Sequence, residues 1–181
     1  TVVIVLNVKG RVVGAVVDGV ARHPWVDEAQ ARRRWPGTVE VRITEHVPTI
    51  LLEHEGLYYV DAEGAVFKRA CGSDLDYPVL TGLDPETVHR HPEFARRVVR
   101  AGLALLSAVE DAGEFATREV SEIRFHPQDG FAVVLRTGTE LAFGFSDPSD
   151  RAGRLARLRA AGFDPTVRQR VDLAPEEVAV A

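Results

Sequence analysis

The 181-residue chain has no methionine, a single cysteine at Cys71, and no apolar run long enough to cross a membrane. One cysteine cannot form an internal disulfide. The best candidate for a membrane span, Val2 to Val8, has the length of a strand, whereas a membrane helix needs about 20 apolar residues. Because the chain opens on Thr1, we expect it to be processed or part of a longer protein. Any signal or anchor would lie upstream of it.

The sequence motifs of common catalytic sites are also missing. It contains no Gly-x-Ser-x-Gly, no P-loop, no dinucleotide-binding Gly-x-Gly-x-x-Gly and no HExxH or CxxC. Two sets of side chains would support hydrolase chemistry only if the fold brought them together. The candidate zinc ligands are His46, His54, Asp84, Glu86, His89 and His91. The candidate carboxylate pairs are Glu53 with Glu55 and Asp74 with Asp76. Solvated charge is the simpler interpretation, so we predict no catalytic residue, metal or cofactor.

Charge and composition indicate a soluble globular protein without a nucleic-acid partner. The chain has 22 Lys and Arg against 27 Asp and Glu, a net charge of −5, and 45% hydrophobic residues. The basic run Arg32-Arg33-Arg34 could contact acidic lipid headgroups or a partner, or it could be solvated. Trp25 and Trp35 could be interface anchors, or they could close a turn and cover a small core.

Periodicity divides the chain into two regions. Val2 to Val8 predicts a buried strand, and valines spaced by three and four residues predict a helix over Arg11 to His23, which ends before Pro24. The strict alternation of Thr38 to Glu45 predicts a half-buried strand that pairs with Val26 to Trp35.

The second region begins with short extended runs and continues with a long helix. The apolar stripe from Phe94 to Val109 predicts that helix over Pro92 to Asp111, and Arg69 to Pro92 is expected to be an irregular connection. Turn punctuation predicts strands at Ile50–Glu53, Leu57–Asp61, Ala65–Lys68, Val120–Phe125, Phe131–Arg136, Glu140–Phe145, Thr166–Leu173 and Val178–Val180. A second helix is expected from Asp147 or Ser149 to Ala161, closed by Gly162.

Several motifs in this order resemble the FtsQ/DivIB family of bacterial cell-division proteins. They are a Pro-Trp-Val, an Arg-Trp-Pro-Gly-Thr, a Glu-x-x-Pro, an Asp-Ala-Glu-Gly and a Tyr-Pro-Val-Leu-Thr-Gly block. The residues that carry the motifs are Pro24, Trp25, Arg34, Trp35, Pro36, Gly37, Glu45, Pro48, Asp61 and Gly64.

The resemblance implies an α+β fold in two domains. Residues 1–47 would be a small POTRA domain, with a helix on a three-stranded sheet. It is shorter than the β-α-α-β-β pattern of the family. Residues 48–181 would form the FtsQ-type β domain, with a mostly antiparallel sheet and two flanking helices.

By the same resemblance, the chain is expected to be the extracytoplasmic part of a non-enzymatic divisome scaffold. One N-terminal membrane span would anchor the full-length protein in the cytoplasmic membrane at the septum. The β domain would bind FtsB/FtsL-type partners, the POTRA domain would bind other divisome proteins, and both would help localise and regulate septum formation. The alternative is a POTRA-bearing component of outer-membrane assembly or secretion.

The closing segment, Thr166–Ala181, is the predicted partner-binding site. A strand near the end of a chain commonly lies at a sheet edge, where its backbone can accept a partner strand. The resemblance implies contacts at Arg170, Val171, Asp172, Leu173 and Val178. Ala174-Pro175 stands where the family has an arginine and an aromatic residue, so backbone pairing is expected to matter more than these side chains.

Overall fold

The computed structural model describes residues 2–7, 13–35, 38–72, 75–111, 115–145, 150, 153–154, 157–158, 160–173 and 179–180. The chain divides into two compact units, Thr1–Val47 and Pro48–Ala181. Its fold class is α+β, as predicted.

The first unit is a helix and a three-stranded antiparallel sheet. Its elements are β1 (Val2–Asn7), α1 (Val13–Ala21), β2 (Val26–Arg34) and β3 (Thr38–Glu45). The sheet order is β1-β3-β2. The alternation predicted for β3 is confirmed, since Val39, Val41 and Ile43 are buried and Val20 and Ala31 pack against them.

The second unit consists mainly of strands. Its described elements are β4 (Pro48–Glu53), β5 (Leu57–Asp61), β6 (Val66–Arg69), β7 (Val79–Thr81), α2 (Pro85–Arg90), α3 (Pro92–Asp111), a 3-10 turn (Thr117–Glu119), β8 (Val120–His126), β9 (Gly130–Leu135), β10 (Glu140–Gly144), β11 (Arg170–Asp172) and β12 (Ala179–Val180). Residues 150, 153–154, 157–158 and 160 are helical, in the region predicted for the second helix. The predicted capping residues Asp147 and Ser149 lie outside the described residues.

The described strands of this unit form one mixed sheet in the order β12-β11-β10-β9-β8-β7-β4-β5-β6. The predicted β8–β9–β10 meander is confirmed as antiparallel. The parallel pairs are β4 with β7, β7 with β8, and β10 with β11. Strands β8–β9–β10 and strands β4–β5–β6 are each antiparallel, and β7 joins these two groups through parallel pairs.

Helix α3 covers one face of this sheet, and its bounds are those predicted. Val98, Leu105 and Val109 are buried along its inner stripe, and burying a side chain of this size stabilises the fold by about 1.5–3 kcal/mol. The helix lies closest to the sheet at Gly102. A Cβ there would be 3.2 Å from Leu80 Cδ1 and 3.6 Å from Ile123 Cγ2.

The prediction that Arg69 to Pro92 is irregular is wrong in two places. Strand β7 lies in this range, and its Leu80 is fully buried. Helix α2 lies there as well, where the Asp84 carboxylate accepts a hydrogen bond from Thr87 N at 2.9 Å and Pro85 occupies the first turn. An acidic N-cap residue followed by proline is a signal for the start of a helix, and hydrophobic periodicity alone does not detect it.

The predicted strand Thr166–Leu173 is too long, because only Arg170–Asp172 is a strand. Asp164 turns the chain just before it. Its carboxylate accepts a hydrogen bond from Thr166 N at 2.9 Å, and its backbone carbonyl accepts one from Gln169 Nε2 at 2.8 Å. These local bonds satisfy polar groups that would otherwise pair in a sheet.

Gly82 provides a test of the junction between β7 and α2. Its φ is +86°, and a Cβ there would lie 1.9 Å from the carbonyl oxygen of Phe125. We expect Gly82→Ala to lower the free energy of unfolding by more than about 2 kcal/mol beyond Gly162→Ala. Gly162 is the matched control, since its φ is +74° and nothing lies within 4 Å of its would-be Cβ. Equal urea midpoints for the two variants would contradict the close approach.

Candidate partner-binding site

The closing segment lies at one end of the described sheet, and β6 lies at the other. Strand β11 pairs with β10 in parallel, and the two-residue β12 pairs with β11 antiparallel. One side of β11 is thus already occupied by β10, and β12 covers the other side at Val171 and Asp172. The outer edge belongs to β12.

The predicted contact residues fall into different environments. Val171 and Leu173 are fully buried in the main core, and Leu173 N donates to Ala142 O at 2.8 Å. Arg170 is exposed and Asp172 is half-buried. Val178 lies outside the described residues. Val171 and Leu173 therefore hold the segment to the body, and a partner would meet the backbone and the exposed side chains.

A row of charged side chains crosses the sheet face opposite α3. This charged ladder consists of Glu122, Arg124, Glu140 and Arg170, with the Thr81 hydroxyl at one end. Thr81 Oγ1 donates to Glu122 at 2.6 Å, and Arg124 contacts both oxygens of Glu122 at 2.9 and 3.0 Å. Arg124 also reaches Glu140 at 3.0 Å, and Glu140 accepts Arg170 at 3.0 Å. The ladder ties β11 through β10 to β8 and β7.

The Glu122 carboxyl has a lowered pKa within this ladder. Burial is the largest single influence and raises the pKa, but hydrogen bonds from Arg124 and Thr81 outweigh it. Glu122 is therefore held as a carboxylate, which is the form that binds Arg124 through both oxygens.

Arg154 also holds the closing segment to β10, through hydrogen bonds to two backbone carbonyls. Its Nη1 donates to Phe143 O at 3.1 Å and to Leu173 O at 2.8 Å, and its Nη2 donates to Asp150 at 3.1 Å. The Arg154 side chain is only 11% exposed. A single guanidinium thus joins the ends of β10 and β11. Sequence reasoning missed this contact, because a basic residue in a predicted helix gives no sign of which carbonyls it reaches.

The Asp61 and Gly64 motif has a clear structural role in the turn between β5 and β6. Asp61 is buried, and its Oδ1 accepts hydrogen bonds from Glu63 N at 3.1 Å and Ala65 N at 2.8 Å. Gly64 has a φ of +85°, a conformation that favours glycine. Asp61 also pairs with Pro48, so the same residue connects the turn to the start of β4.

The motif residues of the first unit lie around the β2–β3 hairpin. Trp25 is half-buried and its carbonyl accepts His46 N at 2.9 Å, while Glu45 is exposed and pairs with Val26. Pro24 is exposed before β2, and Arg34 is ion-paired with Glu40. Pro36 and Gly37 lie outside the described residues.

Trp35 does not cover the small core of the first unit, as one interpretation of the sequence proposed. Its side chain is 94% exposed, so that interpretation is wrong for Trp35. Its position at the end of β2 carries the ring beyond the last pair of the hairpin, Arg34 with Thr38.

The residues considered for hydrolase chemistry do not assemble into a metal-binding group. His54, Asp84 and His89 line one surface depression. Across the ranges that the structure describes, no three His, Cys, Asp or Glu side chains are placed to hold a metal ion. Asp74 lies outside these ranges.

Comparison with known proteins connects this geometry to a family. Residues 50–174 match the profile for the C-terminal region of cell division protein FtsQ/DivIB, and residues 13–46 match the FtsQ-type POTRA domain. The chain belongs to the FtsQ/DivIB family. The match over residues 50–174 favours this family over POTRA-bearing outer-membrane assembly proteins.

Individual FtsQ proteins share sequence with most of the chain. Cell division protein FtsQ of Myxococcus fulvus is 36% identical over 148 residues, which cover 81% of this chain and 52% of that protein. FtsQ of Geotalea daltonii is 34% identical, covering 80% and 53%. The chain therefore spans about half the length of these FtsQ relatives. Among its described helices, none combines the length and the apolar character that a membrane span requires.

Replacing Arg154 tests how the closing segment is fastened. We expect Arg154→Met to lower the free energy of unfolding by about 1–3 kcal/mol, because it removes the hydrogen bonds from the guanidinium group to the Phe143 and Leu173 carbonyls. Amide exchange at Leu173 should accelerate as well. Asp150→Asn is the control: it removes only the exposed ion pair and should cost less than about 1 kcal/mol. An effect of Asp150→Asn as large as that of Arg154→Met would contradict this assignment.

The charged ladder predicts a pH-dependent contribution from Glu122. A carboxyl whose pKa is lowered on folding stabilises the fold above its unfolded pKa, and that stabilisation is lost as the pH falls through the folded pKa. Glu122→Gln should therefore be less stable than the parent chain at neutral pH and should approach it below about pH 4. Urea midpoints across this pH range measure the difference. Glu93→Gln, in an exposed ion pair with Arg96, should show little difference; a Glu122→Gln deficit that persists in acid would refute the prediction.

Proposed function

We propose that the chain is the extracytoplasmic part of a non-catalytic divisome scaffold that binds other division proteins. In this proposal residues 1–47 form the POTRA domain and residues 48–181 form the β domain. The full-length protein is anchored in the cytoplasmic membrane by one N-terminal span. It helps to localise and regulate septum formation. Family membership supports the divisome role.

The β domain binds an FtsB/FtsL-type partner by strand addition to its closing segment. The observation that carries this proposal is the position of β12 at the sheet edge. An edge strand presents backbone N–H and C=O groups on its outer side, and an extended partner can pair with them. The exposed Arg170 would add a side-chain contact, and Val178 is proposed as a further contact residue.

The closing segment is well suited to this role because core packing, a hydrogen bond and an ion pair hold its strand β11 to the rest of the domain. Val171 and Leu173 anchor it in the core, Arg154 bonds Leu173 O, and the ion pair between Arg170 and Glu140 ties it to β10. These contacts order β11, the strand on which β12 pairs, and an ordered support costs a partner less entropy on binding than one that must fold first. Backbone pairing also depends less on the side chains at positions 174 and 175, where this chain has Ala174-Pro175, than recognition through specific side chains would.

Truncation of the chain tests the proposal if the shortened chain keeps the buried residues of the closing segment. Ending the chain after Leu173 removes β12 but keeps the buried Val171 and Leu173, whereas a cut after Pro165 would remove both. We expect the shortened chain to remain folded and to lose at least about tenfold in affinity for the extracytoplasmic segment of its own FtsB-like partner. The loss of even two backbone hydrogen bonds costs this much. Calorimetry measures the affinity.

The opposite edge of the sheet provides the control. Val66 is the first residue of β6 and is 49% exposed, so proline there should interfere with strand addition at that edge without unfolding the domain. Val66→Pro should bind the partner as the parent chain does. Full binding by the truncated chain, or loss of binding in Val66→Pro alone, would move the interface away from β12.

A further inference from the structure

The β2–β3 hairpin of the first unit has opposite charges at its two ends. Asp27 and Glu28 begin β2, close to the pair formed by Val26 and Glu45. The other end of β2 carries Arg32, Arg33 and Arg34, all exposed. From Glu28 to Arg32 the strand advances about 13 Å. Because the Debye length at physiological salt is about 8 Å, the basic end acts largely independently of the acidic one.

Four exposed arginines, Arg32, Arg33, Arg34 and Arg42, lie around one described carboxylate, Glu40, at this end of the hairpin. Glu40 lies opposite Arg32 in the register. It accepts Arg34 Nε at 2.9 Å and Arg42 Nε at 3.0 Å, so two arginines share one carboxylate. Both arginine side chains stay more than half exposed, at 63% for Arg34 and 51% for Arg42. We name the basic end as Arg32, Arg33, Arg34, Trp35 and Arg42.

Trp35 makes the basic end amphipathic. Trp35 is 94% exposed, so a large apolar surface lies beside the exposed arginines. Tryptophan is enriched at the water–membrane interface, and arginine is attracted to anionic lipid headgroups. A protein hot spot would require a shaped pocket on the partner for a ring at a projecting hairpin end, whereas a lipid interface accommodates it without one.

We propose that the basic end binds the surface of an anionic phospholipid bilayer, with Trp35 at the headgroup level and the arginines on the lipid phosphates. This contact is separate from the closing segment and does not rest on strand addition there. Each arginine near an anionic surface is expected to strengthen binding about fivefold at low salt. The contact is therefore reversible, and salt weakens it.

Fluorescence from Trp35 measures the contact directly. The chain has two tryptophans, so Trp25→Phe leaves Trp35 as the sole indole. Titration with vesicles of phosphatidylglycerol and phosphatidylcholine in equal parts should shift its emission to the blue. Vesicles of phosphatidylcholine alone should not. Flotation of the parent chain with the same vesicles provides a second measurement that does not depend on the Trp25 substitution.

A charge-matched pair of variants separates the basic end from net charge. The triple variant Arg32→Gln, Arg33→Gln, Arg34→Gln should lose on the order of 100-fold in vesicle binding. The triple variant Arg96→Gln, Arg97→Gln, Arg100→Gln changes three exposed arginines of α3 and the net charge by the same amount, and should bind as the parent does. Trp35→Ala should weaken binding while leaving the salt dependence in place.

Three results would overturn the proposal. They are absence of binding to anionic vesicles, equal binding to phosphatidylcholine vesicles, or equal losses in the two triple variants. Calorimetry with the FtsB-like segment is run on the same proteins. If the triple variant at Arg32, Arg33 and Arg34 binds that segment normally but does not bind vesicles, the loss of vesicle binding is caused by the basic end and not by a change in the closing segment. Failure of either proposal can then be told apart from failure of the other.

Discussion

The close approach of α3 to the sheet at Gly102 is the contact on which the second unit depends. Leu80 of β7, Ile123 of β8 and Phe131 of β9 all lie within 4 Å of its would-be Cβ, and the 3.2 Å to Leu80 Cδ1 is tighter than an ordinary van der Waals contact. The helix thereby packs closely on three neighbouring strands. Since β7 joins the antiparallel strands β4–β6 to the antiparallel strands β8–β10, this packing supports the junction on which the strand order depends.

Most elements were predictable because their burial follows a simple period. Helix α3 has a continuous apolar stripe, and the turns between β8, β9 and β10 carry glycine. The three residues of β7 are too few to show alternation, and α2 has no buried residue, so neither has a hydrophobic period to detect. In the opposite direction, the closing strand was predicted to begin at Thr166, but the Asp164 turn takes up the backbone of Val167, which is 54% exposed.

The location of the candidate site could be predicted from the sequence, but its construction could not. Position near the chain end indicated an edge. The parallel pairing of β11 with β10 requires a crossover connection, in which residues 150, 153–154, 157–158 and 160 are helical. No local pattern specifies such long-range pairing. The residues that hold the segment are also distant in sequence: Arg154 meets carbonyls 11 and 19 residues away, and Arg124 meets Glu140 16 residues away.

Both sheets place a carboxylate between arginines, yet the balance of charge differs. In the charged ladder, Glu122 and Glu140 match Arg124 and Arg170 in number, so the charges there are largely satisfied among themselves and serve the register of the strands. At the basic end, Glu40 is shared by Arg34 and Arg42, and the exposed Arg32 and Arg33 lie beside them. A balanced network has little left to attract a partner, whereas an excess of one sign creates an outward field that draws an oppositely charged surface. The same pairing chemistry therefore stabilises one sheet and makes the end of the other a candidate for binding an anionic surface.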